Sequence, residues 1–540
     1  MGKRSRRRSP QAVTPPGVRN RARVGTAAFV LAATAAGFFF HLAYQGVPDP
    51  DAFTHVRQAS LYASRGLFDS SFPWIAFSVV SRLNADLWYG FHLLLLPFSF
   101  LPGPFLQLKM AGGLSLSLLL ITLWWALRRL EVKLAWLWPF VFLLASPGHL
   151  WRLQMTRPHL LSTGLAVLLL SFLIRGRAWQ VGLIALGLSF VHLTLFWLAP
   201  VIVAAYLLVA AVAERRLDWR PAAAAMGGCA LGCLLRPNPI GALQLLSVQL
   251  AQVARVQQQG IPLLFSPELF PMELGRVPVN YPEPLLFWLA AVGLCIWALL
   301  RRARVRSPRE PRLLLWCSLL LSLGSFNMMC QMSRRAADMW LTFAVILLAA
   351  AFTVVGNTVR ESTRKAARSG AMAAAIASVL LLVNMATGAL RGDAAQMART
   401  PTPARLQGAG LWLRAHAPPG AIVFNSVMGD FAELFYWDPD NRYVGGLDPI
   451  FQYAYSPQLS WKAQHITQAD ALPATCGEQE CTAANREDIH TVLQRDFRAP
   501  YLAVDAELSA PLLAYLRTDP RFAIRYEDQQ AAVVEVLTPR

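Results

Sequence analysis

Charged residues are scarce in this 540-residue chain, and their scarcity argues against a soluble protein. Only 15% of the residues are Asp, Glu, Lys or Arg, whereas 55% are hydrophobic. Soluble domains carry about a quarter charged residues, so the balance argues against a soluble protein and predicts a polytopic membrane protein. Acidic residues are rarer than basic ones: the chain has 31 Asp and Glu and 50 Lys and Arg, which gives a net charge of +19.

The surplus of positive charge lies in short runs between apolar segments, and this excludes an extended nucleic-acid surface. Such runs are typical of the cytoplasmic loops of membrane proteins. Residues 1–23 are predicted to be a disordered basic cytoplasmic tail, followed by an uncleaved first span at 25–44 rather than a cleaved signal peptide. The further predicted spans are 105–127, 133–148, 159–175, 178–193, 195–213, 221–236, 284–301, 312–330, 337–357 and 370–389.

The apolar run at 87–101 is ambiguous. Counted as a full span it would place every later basic loop outside, whereas a re-entrant or interfacial segment keeps them all in the cytoplasm. We therefore predict eleven spans plus this segment, within a transmembrane domain at 24–390. Its outer loops would be 45–104 and 237–283, and residues 391–540 would form an extracytoplasmic domain.

Residues 391–540 have the pattern of a small α/β domain. The strand-like segments are 421–425, 501–505, 522–526 and 531–537, and the helix-like segments are 406–416, 485–497 and 508–516. Residues 527–530 read as the hairpin turn between the last two strands. About 150 residues are enough to bury a core.

Cysteine is also scarce, and seven cysteines in 540 residues are too few for a disulfide-rich scaffold. Five of them lie in or beside apolar runs, which favours packed thiols. Cys476 and Cys481 flank a polar turn in the tail, and an extracytoplasmic tail favours a disulfide between them. The alternative is a zinc site, for which only His465 and His490 are close in sequence.

The most unusual polar stretch follows the first span, from Pro48 to Gln58. Asp49 is suited to capping a surface helix that begins at Pro50, and this structural role explains part of the pattern. In the functional interpretation, Asp49 or Asp51 is a general base, assisted by His55. The same two carboxylates are the candidate ligands of a divalent cation, Mg²⁺ or Mn²⁺.

Two arginine-containing segments on the predicted outer side are candidate donor-phosphate sites. Arg157 and His159 lie at the start of a predicted span, where free backbone amides and the helix dipole attract anions. Arg334 and Arg335 break the positive-inside pattern, which makes them candidates as well. The alternatives are arginines that reach toward lipid headgroups, and an Arg–Asp pair with Asp338.

The segment Asp49-Pro50-Asp51-Ala52-Phe53-Thr54-His55-Val56-Arg57 resembles the first-loop motif of oligosaccharyltransferases, in which Asp-Pro and a following His-x-Arg recur. These enzymes belong to the GT-C superfamily, with protein mannosyltransferases and lipid A aminoarabinose transferases. Trp151 to His159 is similar in position to the second-loop motif but lacks its acid. Pro418 to Phe431 resembles the strand and turn of the Trp-Trp-Asp-Tyr-Gly motif, without its tryptophans.

This resemblance implies a membrane glycosyltransferase that takes its sugar from a polyprenyl-phosphate-linked donor. The acceptor would be an extracytoplasmic glycan, lipid or protein, and the first-loop acid would be catalytic or metal-binding. The expected location is the bacterial inner membrane, with a periplasmic C-terminal domain. The alternative is a transporter or envelope scaffold without enzymatic activity, although few acidic residues lie within the spans.

Overall fold

A computed structural model of the chain describes residues 16–215, 217–300, 307–360 and 365–538, and side chains are described there except in 16–22 and 358–374. Most of the predicted basic tail, residues 1–15, lies outside this part. The helices of the first 397 residues are α1 Pro16–Leu42, α2 Asp51–Arg65, α3 Val79–Leu83, α4 Tyr89–Leu95, α5 Gly103–Arg129, α6 Trp138–Leu143, α7 Pro147–Leu153, α8 His159–Arg175, α9 Ala178–Val191, α10 Leu198–Glu214, α11 Arg220–Leu234, α12 Pro239–Ser247, α13 Val253–Gln258, α14 Val277–Asn280, α15 Pro282–Leu300, α16 Arg309–Gln331, α17 Ala337–Arg360 and α18 Lys365–Met397.

Seven helices in the described ranges are long and apolar enough to cross a bilayer, which makes this an integral membrane protein. They are Arg23–Leu42, Gly103–Arg129, Leu193–Glu214, Pro282–Leu300, Arg309–Gln331, Arg334–Asn357 and Ala375–Met397. Three more predicted spans form the shorter helices α8, α9 and α11. The predicted total of eleven is therefore not confirmed.

The span predicted at 133–148 is not one continuous helix. Helix α6 has six residues there, about 9 Å of rise, against a hydrocarbon core of about 30 Å. Proline explains the interruption, since Pro139 stands at the start of α6 and Pro147 begins α7 after Ser146. The run at 87–101 is also short: α4 passes into a 3₁₀ turn that ends at Phe100, which agrees with a segment that does not span.

Glycine allows the membrane helices to pack closely. A Cβ on Gly228 of α11 would lie 2.0 Å from the carbonyl oxygen of Gly182 on α9, and one on Gly232 would clash with Ser189. Small residues at such contacts are typical of helix packing in membranes, where close approach replaces the hydrophobic effect. Helices α1 and α5 pack in the same way beside Gly37.

The C-terminal part contains a five-stranded sheet of order β2-β1-β5-β7-β6, with β1 parallel to β2 and β5 and the other pairs antiparallel. Its strands and the separate pair β3–β4 are β1 Ile422–Asn425, β2 Arg442–Tyr443, β3 Ala474–Thr475, β4 Glu487–Asp488, β5 Tyr501–Asp505, β6 Phe522–Glu527 and β7 Ala531–Val536. The helices are α19 Gln407–His416, α20 Phe431–Trp437, α21 Pro449–Tyr455, α22 Pro457–Gln468, α23 Ile489–Arg495 and α24 Ala510–Thr518. All four strand-like segments of the sequence form strands.

The first outer loop is joined to this sheet. Ile75 pairs with Tyr443 of β2 in a parallel bridge, the Ala76 amide donates to the Tyr443 carbonyl at 2.8 Å, and the Tyr443 amide donates to the Trp74 carbonyl at 2.7 Å. Phe72 and Trp74 pack on Phe435 of α20. The loop that carries the candidate acids and the C-terminal sheet are thus one packed unit.

Candidate functional site

A cavity of about 450 Å³ opens between α2, α10, α16, α17 and the start of α21. Its polar lining includes Asp51, Thr54, His55, Arg152, Arg157, His159, His192, Arg335, Asp338 and Asp448. The lining is polar before α10, at His192 and Thr194, and near the start of α17, at Asp338. It is apolar along both helices, where Leu198, Val201, Met339 and Phe343 line it. The cavity therefore offers a charged region continuous with an apolar groove.

Asp49 and Asp51 have different environments although one residue separates them. The Asp49 carboxylate is 1% exposed and forms a bidentate ion pair with Arg157, whose Nη2 donates to Oδ1 at 2.6 Å. Asp49 Oδ1 also accepts the Asp51 amide at 3.1 Å, at the start of α2. The Asp51 side chain is 41% exposed because it faces the cavity. Asp49 thus anchors the helix start, and Asp51 is the accessible acid.

The proton affinity of Asp51 is raised. Protein surrounds the carboxylate on the sides away from the cavity, and this burial, with the negative charge of Asp49, raises its pKa to about 6. Arg157 opposes the shift, since its Nη2 donates to Asp51 Oδ2 at 2.9 Å. A carboxylate with a pKa near neutrality is suited to accept a proton.

Three arginines converge on Glu268, which lies in the short 3₁₀ turn Pro267–Leu269 of the long outer loop. Arg152 Nη1 lies 2.8 Å from Oε1, while Arg335 Nε and Arg157 Nη1 lie 3.0 and 3.6 Å from Oε2. Burial alone would raise the pKa of Glu268, but the three guanidinium groups outweigh it and lower the pKa to about 2. One carboxylate therefore holds three arginines together.

Arg152 and Asp338 extend this cluster. Arg152 donates to both oxygens of Asp338, from Nε to Oδ1 at 2.9 Å and from Nη2 to Oδ2 at 2.8 Å. Sequence reasoning did not include Arg152 among the candidate phosphate residues, and it gave a pair of Asp338 with Arg334 or Arg335 only as an alternative. It missed the Arg152–Asp338 pair and Glu268. The available signal was weak: an acidic residue in the long outer loop and another at the start of a span.

Of the other residues predicted from the sequence, the structure places four in the cavity lining and one outside it. Arg157, Arg335, His159 and His55 line the cavity, and both ring nitrogens of His159 lack a hydrogen-bond partner among the described residues. Arg334 is exposed outside the cavity lining, and its Nε lies 3.4 Å from the Pro271 carbonyl oxygen. The structure thus brings five of the six predicted outer-side residues other than Asp49 to one cavity.

The predicted divalent cation does not fit this arrangement at Asp49 and Asp51. Both carboxylates accept hydrogen bonds from Arg157, whose positive charge lies where a cation would bind. Over the described ranges, the one close group of three possible ligands is His465, Cys476 and Cys481. The two cysteines form a disulfide with a Cα–Cα distance of 5.5 Å, so their sulfurs are not thiolate ligands.

No protein-family model matches the chain, and no curated protein matches it in sequence. Its structure is similar to the crystal structure of ArnT from Cupriavidus metallidurans in the apo state, with a TM-score of 0.52 and 13% identity over 96% of this chain and 100% of that chain. ArnT is a GT-C family glycosyltransferase. This chain has the GT-C fold. ArnT from the same organism bound to undecaprenyl phosphate gives a TM-score of 0.51, 14% identity and the same coverage.

The similarity to ArnT extends over both the helical part and the C-terminal sheet of this chain, since 96% of the residues are covered. At 13–14% identity, this similarity establishes the fold of the chain and not its chemistry.

Proposed function

We propose that this protein is a membrane glycosyltransferase that moves a sugar from a polyprenyl-phosphate-linked donor to an extracytoplasmic acceptor. The observation that carries the proposal is the cavity, in which a three-arginine cluster adjoins an apolar groove between membrane helices. A lipid-linked phosphate has two matching parts: an anionic phosphate group for the arginines and an apolar chain for the groove. The ArnT structure bound to undecaprenyl phosphate supports the assignment of such a lipid to this fold.

The arginine cluster would bind the donor phosphate in place of Glu268. A phosphate offers more acceptor oxygens and more charge than a carboxylate, and guanidinium groups bind it through paired hydrogen bonds. Arg152, Arg157 and Arg335 already lie around one anion, so little reorganisation of their side chains is needed. The polyprenyl chain would lie along Leu198, Val201 and Phe343.

Asp51 would take the proton of the acceptor. In the structure its carboxylate is bonded to Arg157, and a donor phosphate that engages Arg157 would weaken this bond. The acceptor oxygen or nitrogen then bonds to the anomeric carbon, the sugar–phosphate bond breaks with its electrons on the phosphate, and Asp51 holds the proton. Asp49 would keep Arg157 in place throughout.

The cavity would open on the extracytoplasmic side of the bacterial inner membrane. The basic loops between the spans support this orientation, because positive residues favour the cytoplasmic side. The first outer loop and the C-terminal sheet, which are packed together, would then both face the periplasm.

Binding of undecaprenyl phosphate tests the proposal, and two adjacent arginines provide the comparison. Arg335→Gln removes a side chain that lines the cavity, whereas Arg334→Gln removes the same charge one residue away. We expect Arg335→Gln to weaken binding to purified protein in nanodiscs about tenfold, and Arg334→Gln to leave it unchanged. Equal losses would mean that net charge alone attracts the lipid.

Turnover is tested separately. Liposomes that contain the protein and polyprenyl-phosphate-linked hexose, pentose or aminosugar should release free polyprenyl phosphate when an acceptor extract is added. Binding of the lipid without turnover of any donor would favour a transporter or scaffold.

A further inference from the structure

One acid in the cavity lining comes from the C-terminal part of the chain. Asp448 lines the cavity together with its neighbours Leu447 and Phe451, whereas the other charged residues of the lining lie in the helical part before it. The C-terminal part thus supplies one wall of the cavity. The transfer step proposed above gives Asp448 no role.

The turn that carries Asp448 packs against the first outer loop. It follows β2, which the parallel bridge joins to that loop. A Cβ on Gly446 would lie 2.5 Å from the ring of Phe431 and 3.0 Å from Ile75, so this close approach requires glycine. Leu447 adopts a φ of 62°, in the left-handed region that leucine rarely occupies. Packing on both sides fixes the path of the turn, and Asp448 enters the cavity wall at its end.

The role of Asp448 in the fold accounts for one of its two carboxylate oxygens. Asp448 caps the start of α21, where its Oδ1 accepts the Ile450 amide at 3.2 Å. Asp488 caps α23 in the same way, but Arg521 donates to both of its oxygens, at 2.9 and 3.0 Å. Asp448 Oδ2 forms no hydrogen bond with a described residue. A cap alone therefore leaves Oδ2, in the cavity lining, without a partner.

Arg335 lies near both Asp448 and Asp51. Burial raises the pKa of Asp448, while the Ile450 amide and the charge of Arg335 lower it. The charge of Arg335 also opposes the rise in the pKa of Asp51. Within the described part of the chain, Arg335 forms its ion pair with Glu268, at 3.0 Å, and with neither of these two acids. A ligand that binds Arg335 would therefore have both carboxylates close by.

We propose that Asp448 is a specificity-determining residue whose free Oδ2 accepts a hydrogen bond from a hydroxyl or amine group of the transferred sugar. The inference rests on the proposed function, in which the arginine cluster holds the donor phosphate. The sugar is bonded directly to that phosphate, so it would lie beside Arg335 in the space that Asp448 lines. Asp51 alone takes the proton of the acceptor, and Asp448 makes and breaks no covalent bond.

A carboxylate in this wall selects among sugars by hydrogen-bond type and by charge. An ionised carboxylate only accepts hydrogen bonds, so a hydroxyl or an amine satisfies it, whereas a deoxy position leaves Oδ2 unpaired. A uronic acid would bring a second carboxylate into the same part of the cavity, where like charges repel. We therefore expect a neutral or amino sugar in the donor and not a uronic acid.

A ratio of two dissociation constants, measured with the full chain in nanodiscs, tests the contact. The reference lipid is undecaprenyl methyl phosphate, which has the single charge and the chain of a donor but no sugar. The test lipids are undecaprenyl phosphates linked to a hexose, a pentose or an aminosugar. We expect the best of these to bind the wild type about tenfold more tightly than the reference, as for a hydrogen bond to a charged group. No gain with any of the three would overturn the inference.

Asp448→Ser should abolish this gain. Serine is also a good N-cap, so α21 keeps its cap while Oδ2 is lost. The ratio isolates the sugar contact, because loss of a negative charge near Arg335 strengthens binding of both lipids alike. Asp488→Ser, the same change at the start of α23 and outside the cavity lining, is the matched control and should leave the ratio unchanged. An unchanged ratio in Asp448→Ser would contradict the inference.

A second comparison tests the charge of Asp448. The undecaprenyl-phosphate-linked forms of a hexose and of its uronic acid differ only at C6 of the sugar. The wild type should prefer the hexose about tenfold. Asp448→Asn, which keeps the size of the side chain and the cap, should bind the two lipids with more nearly equal affinity. The same preference in both proteins would show that Asp448 does not select against acidic sugars.

These measurements separate the inference from the proposed function. A wild type that binds no undecaprenyl phosphate would refute the proposed function. A wild type that binds it and prefers a sugar-linked lipid, with the same preference in Asp448→Ser, would refute the role of Asp448 alone. In turnover, Asp448→Ser should raise KM for the donor more than it lowers kcat, because the contact is made before the sugar–phosphate bond breaks.

Discussion

Arg157 and Arg405 are partly buried arginines surrounded by carboxylates, but Arg157 lines the cavity described above and Arg405 does not. Arg157 is bonded to Asp49 and Asp51 and lies near Glu268. In the C-terminal part, Arg405 donates to Glu433 at 3.0 Å, to Asp505 at 2.7 Å and to Asp430 at 2.5 Å. By charge and burial the two clusters are alike.

Their remaining hydrogen bonds distinguish them. In the Arg405 cluster, Asp505 Oδ1 accepts the amides of Glu507 and Leu508. The bonds of Arg405 itself connect the segment before α19 with α20 and β5, so the cluster holds the fold together. In the Arg157 cluster, Asp51 and Arg335 face the cavity and are exposed by 41% and 40%. A buried ion network alone therefore does not identify a site; the accessible side of the network does.

The largest expected effect separates Asp51 from Asp49. Asp51→Asn should lower transfer about 10²- to 10⁴-fold, because it removes the proton acceptor, and should leave expression and Tm unchanged. Asp49→Asn should impair transfer too, but with a loss of stability of about 1.5–3 kcal/mol, since Asp49 is the buried partner of Arg157. Donor turnover and thermal unfolding measure both. Full activity in both variants would exclude this stretch from catalysis.

The second prediction compares the two arginines directly. Arg157→Met and Arg405→Met each leave buried carboxylates unpaired and should each cost about 3–5 kcal/mol of stability. Arg157→Met should in addition abolish binding of undecaprenyl phosphate, whereas folded Arg405→Met protein should bind it normally. If Arg405→Met lost binding while remaining folded, the distinction between the clusters would fail.

A smaller effect is expected from pH in the Arg405 cluster. Burial raises the pKa of Asp430 to about 7; Arg405 opposes the shift, and the carboxylates of Asp505 and Glu433 add to it. Because the folded pKa lies above the ordinary value of 3.8, the folded state binds more protons between about pH 4 and pH 7. The stability contribution of Asp430 is therefore present at low pH and is lost as the pH rises toward 7.

Hydrogen exchange of the β5 amides, corrected for the intrinsic rate at each pH, measures this dependence. The exchange-derived stability should fall from pH 4 to pH 7 in the wild type and fall less in Asp430→Asn. The same slope in both proteins would assign it to another group.

The smallest effect concerns the disulfide. Cys476 and Cys481 close a short loop, so replacing both by Ser should cost at most about 2 kcal/mol. Donor binding should not change, because neither cysteine lines the cavity. Thermal unfolding and lipid binding under reducing conditions test this, and a loss of lipid binding would show that the turn supports the site.

Local patterns in the sequence were sufficient for several elements. Alternating apolar residues located the strands β1, β5, β6 and β7, because strand periodicity is a property of consecutive residues. The same reasoning did not locate the helix breaks at 133–148, where Pro139 and Pro147 divide the apolar segment. A hydropathy pattern measures the apolar content of a segment and not whether its backbone is continuous.

The candidate site was predictable only in part, since it depends on distant contacts. Asp49 and Asp51 stood out as paired acids after a span, but their hydrogen-bond partner Arg157 lies more than a hundred residues later. Glu268 had only a weak local signal, because its role comes from three arginines on other elements.

The central claim is that the three-arginine cluster binds a lipid-linked phosphate. A structure of the protein in nanodiscs with undecaprenyl phosphate tests it most directly. We predict the phosphate within hydrogen-bond distance of Arg152, Arg157 and Arg335, the carboxylate of Glu268 displaced, and the polyprenyl chain between α10, α16 and α17. A phosphate bound elsewhere, with Glu268 still bonded to all three arginines, would contradict the account.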